Sequence, residues 1–465
     1  MISPARRRIA LAASAAGAAI VALDGGVLLV AQPSLQRDLD ASVAEVQWTS
    51  TGYLVAVAAL LVLAGRLGDR YGHRRLLCAG VLGFGAASAG IAVAGSVGWV
   101  IALRVAQGVF GALLQPATLA LLRLAYPEDR LGRPIAVRTS VLAVAAGAGP
   151  VLGGLVVAHL GWRVVFWINV PVALAIALLT LAVRVPSPER PADGGGRVGL
   201  AGAALLATAL AALVHALAGI PERGWTGTGT LLGLLAAAGA LALLVAYERR
   251  AEHPNVPRAV ARSVPVTASV AILLVTTAGL FGTLFRATFH LQDALRLDPL
   301  DTGLRVLPLT ALMVLGAPVA GAALRRYGPR RTAVCGTLLV VLGIALLSRS
   351  GPGGAWAPMA AAFAVLGAGF ATVMVTATAS VVGDAPPGYA GVVGGLKQTA
   401  MNVGPTLGIA VAAGTTGATG AAGAAGAAGA ADAAMGTTLL LLAAVAALGL
   451  LPASLLPRPG RAPAR

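Results

Sequence analysis

Long apolar runs of about twenty residues follow one another along this chain, separated by short polar breaks. A helix that crosses the hydrocarbon of a bilayer needs about that length. Fourteen runs are legible, at approximately 9–32, 48–66, 76–96, 98–122, 134–157, 164–183, 198–219, 229–247, 265–289, 302–323, 332–348, 356–381, 390–412 and 436–456. They are continuous rather than alternating. Each therefore predicts a helix, and the two-residue period of outer-membrane strands is absent. The expected fold class is an all-α polytopic membrane protein. An even number of spans puts both termini on the same side.

The polar breaks organise the runs. Val185–Val198 is rich in Pro, Gly and charge and closes the first six helices. It reads as a linker into an extra helix pair over 198–247, and a second six-helix set begins near Val264. The expected division is 1–184, 185–263 and 264–465. The two sets echo each other. Tyr71-Gly72 with Arg74-Arg75 recurs 256 residues later as Tyr327-Gly328 with Arg330-Arg331, and Gly149-Pro150-Val151-Leu152-Gly153 recurs 255 residues later as Gly404-Pro405-Thr406-Leu407-Gly408. Similar offsets at matching helices predict two halves related by an internal repeat. The Gly-Ala-Ala tract Ala412–Ala434 lacks the proline of collagen and reads as a flexible outer loop with frayed helix ends.

Composition agrees with burial in lipid. Hydrophobic residues make up 58% and charged residues 11%, with a mean hydropathy of +0.86, which excludes an ordinary soluble globule. The net charge of +17 would suggest nucleic acid in a soluble chain, but aromatics are 4% and no groove-reading motif occurs. The charge follows the topology instead. Of 34 Lys and Arg, 24 fall at the termini or in alternate loops. That bias assigns those loops and both termini to the cytoplasm of a plasma-membrane protein. The run after Met1–Arg8 is too long for a signal peptide and reads as the first permanent helix. Cys78 and Cys335 have no ligand-spaced neighbours and read as small buried apolar residues. No metal site, phosphate-cradling loop or cysteine cluster is present, so no cofactor, metal or enzyme activity is expected.

Charge inside the runs carries the candidate chemistry. Asp24 is the only acidic residue well inside one. An ionised carboxylate there costs several kcal/mol, so it lines a polar pathway, carries a proton or pairs with a buried cation. Arg104, Arg138, Arg286 and Lys397 lie in or near helices. His290 reads as an outer-surface histidine, while Lys397 and Arg286 are cavity charges or snorkel toward an interface.

The segment Gly65-Arg66-Leu67-Gly68-Asp69-Arg70-Tyr71-Gly72-His73-Arg74-Arg75 resembles the signature between helices 2 and 3 of the major facilitator superfamily. The resemblance implies a gating role for Gly65, Asp69, Arg70, Gly72 and Arg74. Arg104, Gln107 and Gly108, with Gly111 and Pro116 beyond, resemble the family's second signature, in which the Arg is linked to proton coupling. Gly147-Ala148-Gly149-Pro150 with Gly153 and Gly154 is similar to the motif typical of its exporters, which implies a conformational role for Gly149 and Pro150. The subgroup most resembled is the fourteen-helix drug:proton antiporters. Leu23-Asp24 with Ala31 and Pro33, Trp48 with Tyr53-Leu54, Gly161-Trp162-Arg163 with Phe166 and Asn169-Val170-Pro171, and Leu291-Gln292 with Gly303 and Leu307-Pro308 all fit it. The chain departs from it at Gly26 and Leu29, where Thr and Asn are usual, which removes polar contacts near Asp24. It also has Arg325 in place of Asp69 in the second inner loop.

The resemblance implies a major facilitator fold with 14 transmembrane helices and a proton-driven antiporter that exports small amphipathic organic compounds, cationic ones included. Asp24 and Arg104 would couple protons. Tyr53, Gln115, Phe281, Phe285, Lys397, Gln398 and Asn402 would line a substrate cavity. The expected partners are a small organic substrate, protons and membrane lipid, with no nucleic acid, in a chain that works as a monomer. An exporter of one endogenous metabolite, lipid or sugar remains open, as does a non-transporting scaffold or receptor.

Overall fold

A computed structural model describes residues 4–127, 132–183, 200–218, 220–224, 226–250, 258–349, 356–383, 390–420 and 427–457. The architecture is an all-α polytopic membrane fold. The elements are α1 (Pro4–Asp38), α2 (Val43–Tyr71), α3 (His73–Ala92), α4 (Val97–Ala125), α5 (Gly132–Leu160), α6 (Trp162–Ala182), α7 (Leu200–Ala218), the short α8 (Ile220–Arg223), α9 (Thr228–Arg250), the short α10 (Arg258–Ala261) and α11 (Val264–Phe289). They continue with α12 (Pro299–Leu347), α13 (Trp356–Gly383), α14 (Ala390–Gly420), α15 (Ala427–Ala447) and α16 (Leu450–Leu455). Among the described residues, nine helices are long and apolar enough to cross a membrane. The linker expected at Val185–Val198 lies outside the described residues.

These helices are apolar on every side, so amphipathicity does not choose the face that packs. Small and polar residues do. On α6, Phe166, Asn169, Ala173, Ile176, Ala177 and Thr180 form the buried stripe, while Leu174, Leu178 and Leu181 point outward. Local chemistry sets the ends. Ser42 and Glu45 make a reciprocal capping box at the start of α2, with Ser42 N–H donating to Glu45 Oε2 at 2.8 Å. Asp298 caps α12, just ahead of Pro299.

By backbone proximity the chain divides into two compact units, Met1–Ala207 and Thr208–Arg465. In the first, α1 packs on α5 and α6, α4 packs on α2 and α3, and α3 packs on α6. In the second, α11 packs on α14 and α15, α13 packs on α12, and α12 packs on α15. The internal repeat read from the sequence is thus repeated in the pairing of helices. The long α12 contains a joint of its own: it is broken at Gly328, whose φ is +78°. Gly72, 256 residues earlier between α2 and α3, has φ +94°. Both turns need the left-handed backbone that glycine alone adopts without strain.

The second echo is a close approach. A Cβ on Gly149 of α5 would stand 2.9 Å from the Gly26 Cα of α1, and one on Gly153 would stand 2.8 Å from the Val27 Cα. In the second unit a Cβ on Gly282 of α11 would stand 2.6 Å from the Gly408 carbonyl oxygen of α14, and Gly404 meets Thr277 and Leu274. Backbone-to-backbone contact of this kind is how helices associate where lipid supplies no hydrophobic drive.

The tract 412–434 is helical at its described ends, where α14 runs to Gly420 and α15 starts at Ala427, because alanine favours helix strongly enough to carry the glycines. Two expectations are corrected. Cys335 is exposed and Cys78 only half-buried, since each lies on the outward side of an all-apolar helix. His290 is 4% exposed, not a surface residue; it sits in a π-helical turn, His290–Ala294, with Arg286 buried beside it in sequence on α11.

Replacing Gly149 with Val should push α1 from α5. Overpacking of this kind costs about 1–3 kcal/mol. The expected result is a lower melting temperature of the purified protein, with Gly149→Ala intermediate; an unchanged melt for Gly149→Val would contradict the contact.

Candidate functional site

Five helices of the first unit converge on Asp24. Asp24 is 2% exposed and Arg104 1% exposed, near the middle of α1 and the first half of α4. Arg104 Nη1 donates to Asp24 Oδ2 at 2.6 Å, which closes a buried ion pair. Two buried charges are tolerated only when their remaining hydrogen-bonding capacity is also met. Here it is. Arg104 Nε donates to the Thr49 carbonyl at 2.9 Å and Nη1 also to Gln107 Oε1. Asp24 Oδ1 accepts from Asn169 Nδ2 at 3.2 Å and from Gln107 Nε2 at 3.4 Å.

A second tier holds these groups. Gln107 Nε2 donates to Ser88 Oγ at 2.8 Å, and Ser88 Oγ donates to the Phe84 carbonyl at 2.8 Å. The Tyr53 ring lies 4.5 Å from the guanidinium carbon of Arg104 and the Phe166 ring 6.0 Å, so the cation rests on aromatic faces where it has no hydrogen bond. Gly108 and Gly111 on α4 allow Tyr53 to approach; a Cβ on Gly111 would stand 2.9 Å from the Tyr53 hydroxyl. The carboxylate therefore ties α1 to α4 directly and to α6 through Asn169. Its chemical capacity is proton exchange: protonation of Asp24 would cancel the ionic bond to α4, while Arg104 kept Thr49, Gln107 and Tyr53.

The structure thus brings Asp24, Arg104 and Tyr53 together. Sequence reasoning quotes Gln107 and Asn169 only as members of motifs and gives no role to Thr49 or Ser88. The available signal is the presence of a polar side chain inside an apolar run. The polar contacts expected to be lost with Gly26 and Leu29 come instead from α3, α4 and α6, and Gly26 serves the contact with α5.

The gating candidates are placed unevenly. Gly65 and Gly72 are described, as are Gly149 and Pro150 at the contact between α1 and α5. Arg74 donates from Nε to the Thr180 carbonyl at 3.2 Å and from Nη2 to the Leu181 carbonyl at 2.8 Å, capping the end of α6. The side chains of Asp69 and Arg70 lie outside what is described. Among the cavity candidates, Gln115 is half-buried in the first unit. In the second unit, Phe285 packs on Phe289 with ring centroids 4.9 Å apart, and Phe281, Lys397 and Gln398 are half-buried. Asn402 Nδ2 donates to the Gln398 carbonyl at 2.8 Å. No group of His, Cys, Asp and Glu able to hold a metal occurs among the described residues.

A family model described as "Major Facilitator Superfamily" matches residues 14–199 and 194–409. The chain belongs to that superfamily, and it is a secondary transporter rather than an enzyme. It is 41% identical over 401 residues to the "Tetracenomycin C resistance and export protein" of Streptomyces glaucescens, covering 86% of this chain and 74% of the relative. It is 34% identical over 400 residues to the "Puromycin resistance protein pur8" of Streptomyces alboniger, covering 84% and 78%. With the "Multidrug efflux pump LfrA" of Mycolicibacterium smegmatis it shares 31% over 413 residues, covering 88% and 80%. Among solved structures, an auto-inhibited POT family peptide transporter matches with a TM-score of 0.66 at 17% identity, covering 97% and 95%. The nucleoside transporter NupG matches with a TM-score of 0.64 at 14% identity, covering 95% and 98%. These two matches concern the fold.

Removing one partner of a buried ion pair costs about 3–5 kcal/mol. Asp24→Ala is expected to lower the melting temperature well below that of the wild type, and Asp24→Ala with Arg104→Leu to recover part of the loss. Thermal unfolding of the single and double variants measures the coupling; strictly additive losses would mean the pair is not an energetic unit.

Proposed function

We propose that this protein is a proton-driven antiporter that exports small amphipathic organic compounds across the plasma membrane. The observation that carries the reading is the buried Asp24–Arg104 pair with its closed hydrogen-bond shell, in a chain of this superfamily. The named functions of the relatives, which include export, resistance and multidrug efflux, support the export direction and the substrate class. Among the relatives, those named for one compound keep open an exporter of a single metabolite.

The finer reading is a fourteen-helix member with both termini in the cytoplasm. Two six-helix bundles, 1–184 and 264–465, flank a two-helix insertion within 185–263. The chain works as a monomer in contact with lipid. Asp24 takes a proton from the outer side, the bond to Arg104 opens, and α1 is released from α4. Substrate binding favours the state in which Asp24 gives the proton up inside. A substrate that prefers one protonation state couples the two fluxes, because each ligand biases the same equilibrium. Gly65, Asp69, Arg70, Gly72 and Arg74 hold the cytoplasmic side closed in the outward-open state. Gly149 and Pro150 let α5 slide along α1.

Proteoliposomes with an imposed pH gradient and a panel of fluorescent amphipathic compounds test this. Proton movement should accompany compound movement in the wild type. Asp24→Asn should cut gradient-driven flux at least tenfold with insertion intact. Full proton-coupled flux in that variant would remove Asp24 from the mechanism, and no flux of any compound would remove the exporter assignment.

A further inference from the structure

Asp24 is answered by Arg104, but the first unit holds another cation that no described carboxylate answers. Arg138 lies in the second turn of α5 and is half-buried. One N–H, from Nη2, donates to Thr118 Oγ1 at 2.8 Å, while the buried Nε has no acceptor. The two ion pairs with described geometry are those of Asp24 and Asp38, and neither includes Arg138. A guanidinium has five donors in a planar fork that matches a carboxylate. A cation inside a membrane bundle normally meets a carboxylate, a carbonyl or a water-filled pathway.

The surroundings are built rather than incidental. Thr118 is fully buried, and its carbonyl accepts from Ser14 Oγ of α1 at 2.6 Å. Its hydroxyl donates to the Gln115 carbonyl at 2.9 Å, which turns a lone pair toward Arg138. The guanidinium is thereby drawn to a buried residue of α4. Gln115 precedes Thr118 by one turn on the same face of α4, and its half-buried amide is a further donor.

The second unit has a parallel. The repeat offset of 255 residues carries Arg138 to Val393 on α14, one turn before Lys397. Lys397 is the only lysine of the chain; it is half-buried and takes part in neither described ion pair.

Resting on the export reading, we propose that Arg138, with Thr118 and Gln115, is a recognition site for an anionic group, so that the exported compounds are amphipathic organic acids bearing a carboxylate or an ionised phenol. The acid supplies a counter-charge that no described residue provides; a carboxylate's two oxygens meet the guanidinium fork and the Gln115 amide, and a phenolate's single oxygen meets the fork alone. Cationic amphiphiles are disfavoured by the same charge.

The test uses the full-length protein in zwitterionic nanodiscs and three matched probes: naphthoate, naphthalenemethanol and naphthylmethylammonium. Binding is followed by tryptophan fluorescence. The wild type should bind naphthoate about tenfold more tightly than the neutral alcohol, and the ammonium most weakly. Arg138→Gln should abolish the preference while leaving affinity for the alcohol unchanged, and Arg138→Lys should keep part of it. Equal binding of the three probes by the wild type, or a preference that survives in Arg138→Gln, would overturn the proposal. So would displacement of naphthoate by anionic phosphatidylglycerol in the wild type but not in Arg138→Gln, which would identify a lipid headgroup as the occupant. Flux of the same probes under a pH gradient separates the two readings. Charge discrimination that depends on Arg138 without flux sinks export and leaves the site; flux that ignores probe charge and Arg138 sinks the site and leaves export.

Discussion

The buried bond between Asp24 and Arg104 is the constraint around which the first unit is arranged. Neither charge could remain in this environment alone. Each brings a requirement for further partners, and those partners come from different helices: Thr49 from α2, Gln107 from α4 and Asn169 from α6, with Ser88 of α3 holding Gln107. Apolar side chains cannot discriminate one helix face from another when lipid is the competing solvent. The polar shell can, because an unpaired hydrogen-bonding group in hydrocarbon is costly. In the proposed mechanism, the same shell that orients the helices makes their arrangement depend on the protonation of one carboxylate.

Small residues supply the complementary constraint. Gly26, Gly149 and Gly153 bring α1 and α5 to backbone contact, and Gly282, Gly404 and Gly408 do so for α11 and α14. Such surfaces carry no interdigitated side chains, and the proposed mechanism uses them for sliding. The polar shell ties α1 to α4 and α6, while the glycine surface sets it backbone to backbone against α5. A two-state element needs both features: a bond that can be switched and a neighbour that permits the motion.

Much of this is legible in the sequence. Apolar length announces the helices, charge position singles out Asp24 and Arg104, and the repeat offset anticipates the pairing shared by the two units. The partners of the charge pair are less legible. Ser88 and Asn169 are single polar residues in apolar runs, and only the rotation of α3 and α6 decides whether they face lipid or carboxylate. Gly26 misleads for a related reason: its absent side chain reads as a lost polar contact, although the space belongs to α5. The burial of His290 and the exposure of Cys335 likewise depend on helix rotation, which composition does not encode.

Infrared difference spectroscopy of the Asp24 carboxyl tests the central claim most directly. Spectra are recorded on the purified protein in nanodiscs as a transported compound is added at a fixed pH acidic enough to protonate Asp24, for the wild type and for Asp24→Asn. The account predicts that a protonated-carboxyl stretch disappears and a carboxylate band appears in the wild type, and that both changes are missing in the variant. A substrate-induced carboxyl signal that is the same in both proteins would contradict it, because the proton exchanged for the substrate would then reside elsewhere.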